Sequence, residues 1–213
     1  MKLNKDALKL YAVTDRHWTK DKTLYEQIKE CLTGGVTMIQ LREKNLSYSD
    51  FKSEGINIKK LCNSFNVPFL INDNVSLAKE IDADGVHIGQ NDMELVEARK
   101  ILGNDKIIGV SARTIEQAIC AEKNGANYLG VGAVFQTSSK DNAVQIDIQT
   151  LKDICSAVQI PVVAIGGISN QNIKLLKNSG IAGVAVISAI FSQKDIKLAS
   201  KQLLSTVEEI LHA

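Results

Sequence analysis

Val162-Val163-Ala164-Ile165-Gly166-Gly167-Ile168-Ser169 and, after a polar run of helical character, Gly183-Val184-Ala185-Val186-Ile187-Ser188-Ala189-Ile190-Phe191 are the stretches that decide the fold. Each contains a short apolar run without the alternation of a half-buried strand. Such runs read as strands covered on both faces, and strands of that kind are parallel. They end in small residues, Gly166-Gly167 and Ser188-Ala189. Small residues at a strand end let a ligand approach the backbone, and free N–H groups there hold an anion. In a (β/α)8 barrel the loops after strands seven and eight are the usual phosphate grip. The stretch reads as that grip. The alternative is a βαβ unit whose glycines serve only turns and helix caps.

Working back toward the N-terminus, the same unit recurs. Strands are expected at residues 8–15, 37–43, 69–73, 85–89, 107–111 and 128–135, with Pro161 and Gly183 opening the last two. Helices fall between them: Thr23, Ser47 and Thr114 stand where N-caps belong, and Gly34-Gly35 and Gly103 where helices stop. Further helices are expected over residues 75–81, 93–102, 147–158 and 195–211. Strict alternation of strand and helix implies a parallel sheet with right-handed crossovers. Eight units favour closure, so the fold class is α/β, a (β/α)8 TIM barrel, with residues 1–213 as one catalytic domain. An open doubly wound sheet is the competitor, but it carries a glycine fingerprint after strand one. Here that position reads Thr14-Asp15-Arg16-His17.

Composition agrees with one soluble enzyme-sized unit. The chain has 213 residues and a net charge of +1, somewhat short of the ~250 residues of a typical barrel. Near-neutral charge implies neither nucleic-acid nor membrane attraction. No apolar run approaches the ~20 residues that cross a bilayer, and Met1-Lys2-Leu3-Asn4-Lys5-Asp6 lacks the apolar core of a signal peptide. Cys31, Cys62, Cys120 and Cys155 are scattered without a Cys-x-x-Cys. They read as small buried hydrophobes in a reducing cytoplasm.

Polar residues gather where the strands end. Strand two ends in Gln40, Arg42 and Lys44, strand three in Asn72-Asp73, strand four in His87, Gln90 and Asp92, and strand five in Ser111. The loop after strand six carries Thr137-Ser138-Ser139-Lys140. In a barrel these ends share one mouth. Gln40, Arg42 and Lys44 alternate at the strand period and so face one side. A guanidinium fork beside an ammonium suits a diphosphate, unless both ion-pair with Glu43 or rim acids. Asp73 and Asp92 follow neighbouring strands. Two carboxylates with phosphate and water are how Mg²⁺ is usually held, although either residue also stands where it would cap the next helix. The loop with Lys140 reads as a phosphate lid or as a plain solvated loop. His87 is assigned a hydrogen-bonded structural role; the roles of His17 and Trp18 are open. No nucleophile-and-base arrangement and no Gly-Lys-Ser/Thr loop is present.

Taken in order, Gln40-Leu41-Arg42-Glu43-Lys44, Ile71-Asn72-Asp73, the run from Asp84 to Asp92, Gly109-Val110-Ser111, Thr137-Ser138-Ser139-Lys140, Gly166-Gly167-Ile168 and Val186-Ile187-Ser188 resemble the thiamine phosphate synthases. The resemblance covers nearly the whole chain. It implies a transferase of thiamine biosynthesis that joins 4-amino-2-methyl-5-(diphosphooxymethyl)pyrimidine to a thiazole phosphate, releasing pyrophosphate through a pyrimidine carbocation. It also implies Mg²⁺ held by Asp73 and Asp92. Gln40, Leu41, Arg42, Glu43, Lys44, Asn72, Ser111 and Lys140 would form the pyrimidine diphosphate side, with Arg42, Lys44, Ser111 and Lys140 taking part in catalysis. Thr137, Ser138, Ser139, Gly167, Ile187 and Ser188 would hold the thiazole phosphate. The partners implied are small molecules only. Ser139 stands where the family often has Thr, which keeps a hydroxyl. Two other readings are a thiazole tautomerase on the same fold and a non-catalytic phosphate-binding barrel. The tautomerase would need a His on strand six, which reads Gly130-Val131-Gly132-Ala133-Val134-Phe135.

Overall fold

The computed structural model describes residues 3–19, 21–137 and 144–212. Eight parallel strands pair in sequence order, and the eighth pairs with the first, so the sheet closes into a barrel. They are β1 (Leu10–Val13), β2 (Met38–Leu41), β3 (Phe69–Asn72), β4 (Gly85–Ile88), β5 (Ile107–Ala112), β6 (Tyr128–Gly132), β7 (Val162–Ile165) and β8 (Gly183–Val186). Around them lie α1 (Leu24–Thr33), α2 (Tyr48–Ser64), α3 (Val75–Glu80), α4 (Leu95–Leu102), α5 (Ile115–Lys123), α6 (Ile148–Ala157), α7 (Ser188–Phe191) and α8 (Ile196–Leu211). Closure leaves no unpaired edge, which excludes the open-sheet alternative.

The period of two sorts each strand into two cores. Leu10, Ala12, Ile39, Leu41, Ile71, Val86 and Val184 face outward and pack under the helices. Tyr11, Val13, Met38, Leu70, Ile107, Tyr128, Val163 and Ala185 fill the barrel itself. Both faces are apolar, which is why the strands read as unbroken hydrophobic runs.

Helix starts are set by side chains that take up orphan N–H groups. Thr23 and Glu26 form a reciprocal capping box at α1. Ser47, Thr114, Asp147 and Asp195 accept from the backbone at the starts of α2, α5, α6 and α8. The first and last units meet directly: a Cβ on Gly34 would lie 2.5 Å from the Lys197 carbonyl oxygen. That close approach seats α8 on the end of α1.

Several elements differ from expectation, among them the apolar run 183–191, which leaves β8 after Val186 and turns into the helix α7 (Ser188–Phe191). The run between β7 and β8 forms only a single 3₁₀ turn, Ile173–Leu176. Ser169, Asn170, Asn172, Asn178 and Gly180 flank it, residues that favour turns over helix, and Ile173 and Leu176 bury one side of a three-residue turn. β6 stops at Gly132 rather than continuing to Phe135. Beyond it the chain bonds partly to the segment before α6, with Ile146 N–H on the Ala133 carbonyl at 2.8 Å. α4 begins at Leu95, behind Glu94, which makes no side-chain cap. All four cysteines are free thiols; Cys31 and Cys62 are buried as expected, whereas Cys120 is exposed.

Candidate active site

The interior face of the strands turns polar toward their C-terminal ends. Met38 is in the barrel core, so Gln40 two residues on points inward too, and it is almost fully buried. By the same parity Asn72, His87 and Ser111 close β3, β4 and β5 on the inside, with Asn72 opposite His87 in register. Arg42 continues the inward row past the end of β2. Its side chain is 13% exposed and its Nη1 lies 3.4 Å from Asp15 Oδ2. Thr14 Oγ1 accepts from the Arg42 N–H at 2.9 Å, so the loop after β1 steers this arginine. Lys44 is exposed and makes no ion pair among the described residues.

Leu41 and Glu43 have the opposite parity. The Leu41 side chain packs under the helices, which leaves only its backbone at the rim. Glu43 accepts from Arg16 Nε at 2.7 Å, with Glu54 bonded to the same guanidinium. Burial lifts the Glu43 carboxyl above its ordinary value, against the opposing pull of Arg16. Glu43 braces the outer side of the loop that carries Arg42 and Lys44. A groove of about 550 Å³ lined by Arg16, Asp50 and Glu54 lies on that outer side, and none of the candidate residues lines it.

Asp73 and Asp92 are anchored to the same strand end. The Asp73 N–H donates to the His87 carbonyl at 2.8 Å, with the residue in the left-handed region at φ 61°. Asp92 folds back so that its Oδ2 accepts from the Gly89 N–H at 2.7 Å. Neither caps a helix: Asn74 caps α3, and α4 has no side-chain cap. Both carboxylates are exposed, and Asp92 Oδ1 has no hydrogen bond among the described residues. No cluster of three or more His, Cys, Asp or Glu suited to a metal exists among the described residues. Two carboxylates on one rim fit a cation that draws its remaining ligands from phosphate and water.

At the ends of β7 and β8 the glycines serve close approach. Gly166 and Gly167 have φ 99° and 65°. A Cβ on Gly167 would lie 2.3 Å from the Gln136 carbonyl oxygen, so the loop after β6 rests directly on this turn. Gly167 carbonyl oxygen accepts from Asn172 Nδ2 at 2.8 Å. Ile187 lies at the interior core and Ser188 opens α7 straight after β8, leaving the first N–H groups of that turn without helical partners. Thr137 is half-buried at the rim. Ser138, Ser139 and Lys140 lie outside the described residues.

One constellation escapes a reading of motifs. Tyr11 and Tyr128 meet in the barrel centre with their hydroxyls 2.9 Å apart. Gln40 Nε2 donates to Tyr11 at 2.5 Å, His87 Nδ1 lies 2.9 Å from the Tyr128 hydroxyl, and His87 Nε2 lies 3.0 Å from Ser111 Oγ. Burial raises both phenol pKa values, so both hydroxyls keep their protons. His87 has the hydrogen-bonded position expected of it, and it also joins Ser111 to the rest. The signal in the sequence was glycine inside strands: a Cβ on Gly109 would sit 2.1 Å from Tyr128 Cζ, and one on Gly130 2.9 Å from His87 Cε1.

The family model described as thiamine monophosphate synthase matches residues 10–190. The chain belongs to the thiamine monophosphate synthase family. It is 51% identical over 195 residues to the thiamine-phosphate synthase of Ruminiclostridium cellulolyticum, covering 92% of this chain and 93% of that one. It is 48% identical over 201 residues to that of Clostridium acetobutylicum, covering 94% and 95%. A solved thiamine phosphate pyrophosphorylase from Pyrococcus furiosus superposes with a TM-score of 0.90 at 39% identity, over 97% of this chain and 98% of that one. These relatives are transferases of thiamine biosynthesis. Among the described residues no helix is long and apolar enough to cross a membrane.

Proposed function

We propose that this chain condenses 4-amino-2-methyl-5-(diphosphooxymethyl)pyrimidine with a thiazole phosphate, giving thiamine phosphate and pyrophosphate, with Mg²⁺ held by Asp73 and Asp92. What carries the reading is the gathering of Arg42, Asn72, Asp73, Asp92 and Ser111 at one end of the barrel, at or just past the ends of β2, β3, β4 and β5. In the reaction the methylene C–O bond breaks and its electron pair leaves with pyrophosphate. The thiazole nitrogen lone pair then forms the new C–N bond. No protein nucleophile takes part.

The work of the protein is positioning and charge stabilisation. Arg42, already steered by Thr14 and Asp15, presents its guanidinium to the diphosphate, and Lys44 and Lys140 add point charge as the leaving group forms. Mg²⁺, when bound, neutralises the oxygens of the departing pyrophosphate. Gln40, Asn72 and Ser111 orient the pyrimidine over the barrel. Thr137, Ser138, Ser139, Gly167, Ile187 and Ser188 hold the thiazole phosphate, which sets its nitrogen toward the reacting carbon. A tautomerase reading lacks support: β6 carries no histidine.

The test is pyrophosphate release by the purified protein. Release is expected only with both substrates and Mg²⁺ together, and EDTA abolishes it. A folded protein that releases none under those conditions ends the proposal.

A further inference from the structure

The barrel interior holds a chain of five polar groups, Gln40, Tyr11, Tyr128, His87 and Ser111, contributed by β2, β1, β6, β4 and β5. Two of its members, Gln40 and Ser111, belong to the proposed substrate site; the three between them do not. We propose that Tyr11, Tyr128 and His87 are positioning residues, a hydrogen-bond relay of fixed direction that holds the Ser111 hydroxyl as a donor toward the barrel mouth. The inference rests on the synthase reading for its catalytic consequence, but not for its geometry.

The direction follows from counting hydrogens. Each phenol has one hydrogen and oxygen lone pairs. Gln40 Nε2 can only donate, so Tyr11 oxygen accepts from it and Tyr11 spends its own hydrogen on Tyr128. Tyr128 then donates to His87 Nδ1, which must be the unprotonated ring nitrogen. His87 carries its proton on Nε2 and donates to Ser111 Oγ. That leaves the Ser111 hydrogen to point away from His87, toward the mouth. Reversing the middle of the chain would leave the Tyr11 hydrogen without an acceptor in a fully buried place, which is the costly arrangement. Space for the relay is built into the strands. Gly109 stands opposite Tyr128 in register and Gly130 opposite Ser111, and a side chain at either glycine would occupy the volume of Tyr128 or His87. A purely apolar core would need neither glycine, and two buried phenols would have no reason to meet hydroxyl to hydroxyl.

Two measurements test this. The first is the tautomer of His87 by nitrogen-15 NMR of the whole protein without substrate, the signal being assigned by its loss in His87→Gln. A neutral ring protonated at Nε2 is expected. A ring protonated at Nδ1, or at both nitrogens, overturns the relay whether or not the protein is a synthase. The second is a kinetic cycle with Tyr128→Phe and Ser111→Ala. Tyr128→Phe is expected to lower kcat about tenfold, the worth of one buried hydrogen bond. In the Ser111→Ala background the same change is expected to cost nothing more, because Tyr128 acts through Ser111. An equal loss in both backgrounds would show that Tyr128 only packs, and would overturn the positioning role. Should Tyr128→Phe not fold, the tautomer of the wild-type protein still decides. Absence of pyrophosphate release from wild type refutes the synthase reading alone and leaves the tautomer result standing.

Discussion

Replacing Asp92 with Asn separates a metal-holding role from a structural one. The carboxylate makes one hydrogen bond among the described residues, from the Gly89 N–H to Oδ2 at 2.7 Å. An amide oxygen accepts the same bond. The side chain is exposed and α4 has no side-chain cap to lose. The expected change in stability is therefore within about 0.5 kcal/mol, a shift of about 1–2 °C for a domain of this size. Turnover should respond quite differently. Asn removes a full negative charge from the proposed hard-cation site and leaves a weaker neutral oxygen. Loss of one fixed group that stabilises developing charge typically costs about 10²–10³ in kcat. Pyrophosphate release should fall by that order and the Mg²⁺ concentration for half-maximal rate should rise, with the melting curve nearly superimposable. The assay is steady-state pyrophosphate release across a Mg²⁺ titration, beside a thermal melt of the same samples. Asn is as good as Asp at capping a helix, so a purely structural Asp92 would leave both readouts alone. Turnover within about twofold of wild type at every Mg²⁺ concentration would refute the reasoning.

Gly109→Ala would drive a methyl to within 2.1 Å of the Tyr128 ring; overpacking of this kind costs about 1–3 kcal/mol, and urea unfolding should show a midpoint lowered accordingly, an unchanged midpoint speaking against the packing described. Asp82, bonded by Lys106 and then Lys59, has its carboxyl held below the ordinary range. A depressed carboxylate contributes stability above its unfolded pKa and loses it as pH falls through the folded value. The stability gap between wild type and Asp82→Asn, read by denaturant titration, should thus be open at neutral pH and close in strong acid; a gap independent of pH would contradict the assignment.

How much of this was legible in the chain depends on the length scale of the cause. Local causes were readable: Thr23, Ser47 and Thr114 cap because a hydroxyl can reach an N–H three residues on, and the strand runs announce burial on both faces. Strand-end polarity was readable as well, since a period of two puts Gln40 and Arg42 on one side. The segment before β8 reads as helix from its apolar spacing, yet forms only a 3₁₀ turn because its Asn, Ser and Gly neighbours do not sustain a longer one. The pairing of Arg42 with Asp15 depends on the register of β1 against β2, which no local pattern encodes. The Tyr11–Tyr128 contact joins strands that are not neighbours in the sheet, and only Gly109 and Gly130 hinted at the room it needs.

The seam between β1 and β8 has a consequence for biogenesis. The first strand finds its second neighbour only when the eighth has been translated, and α8 must then lie down on α1 at Gly34. Contacts this distant along the chain are made late and slowly. A growing polypeptide on the ribosome therefore exposes an unsealed curl of strands until β8 emerges. Closure follows the synthesis of β8 and α8 together, and chaperone demand should peak just before it.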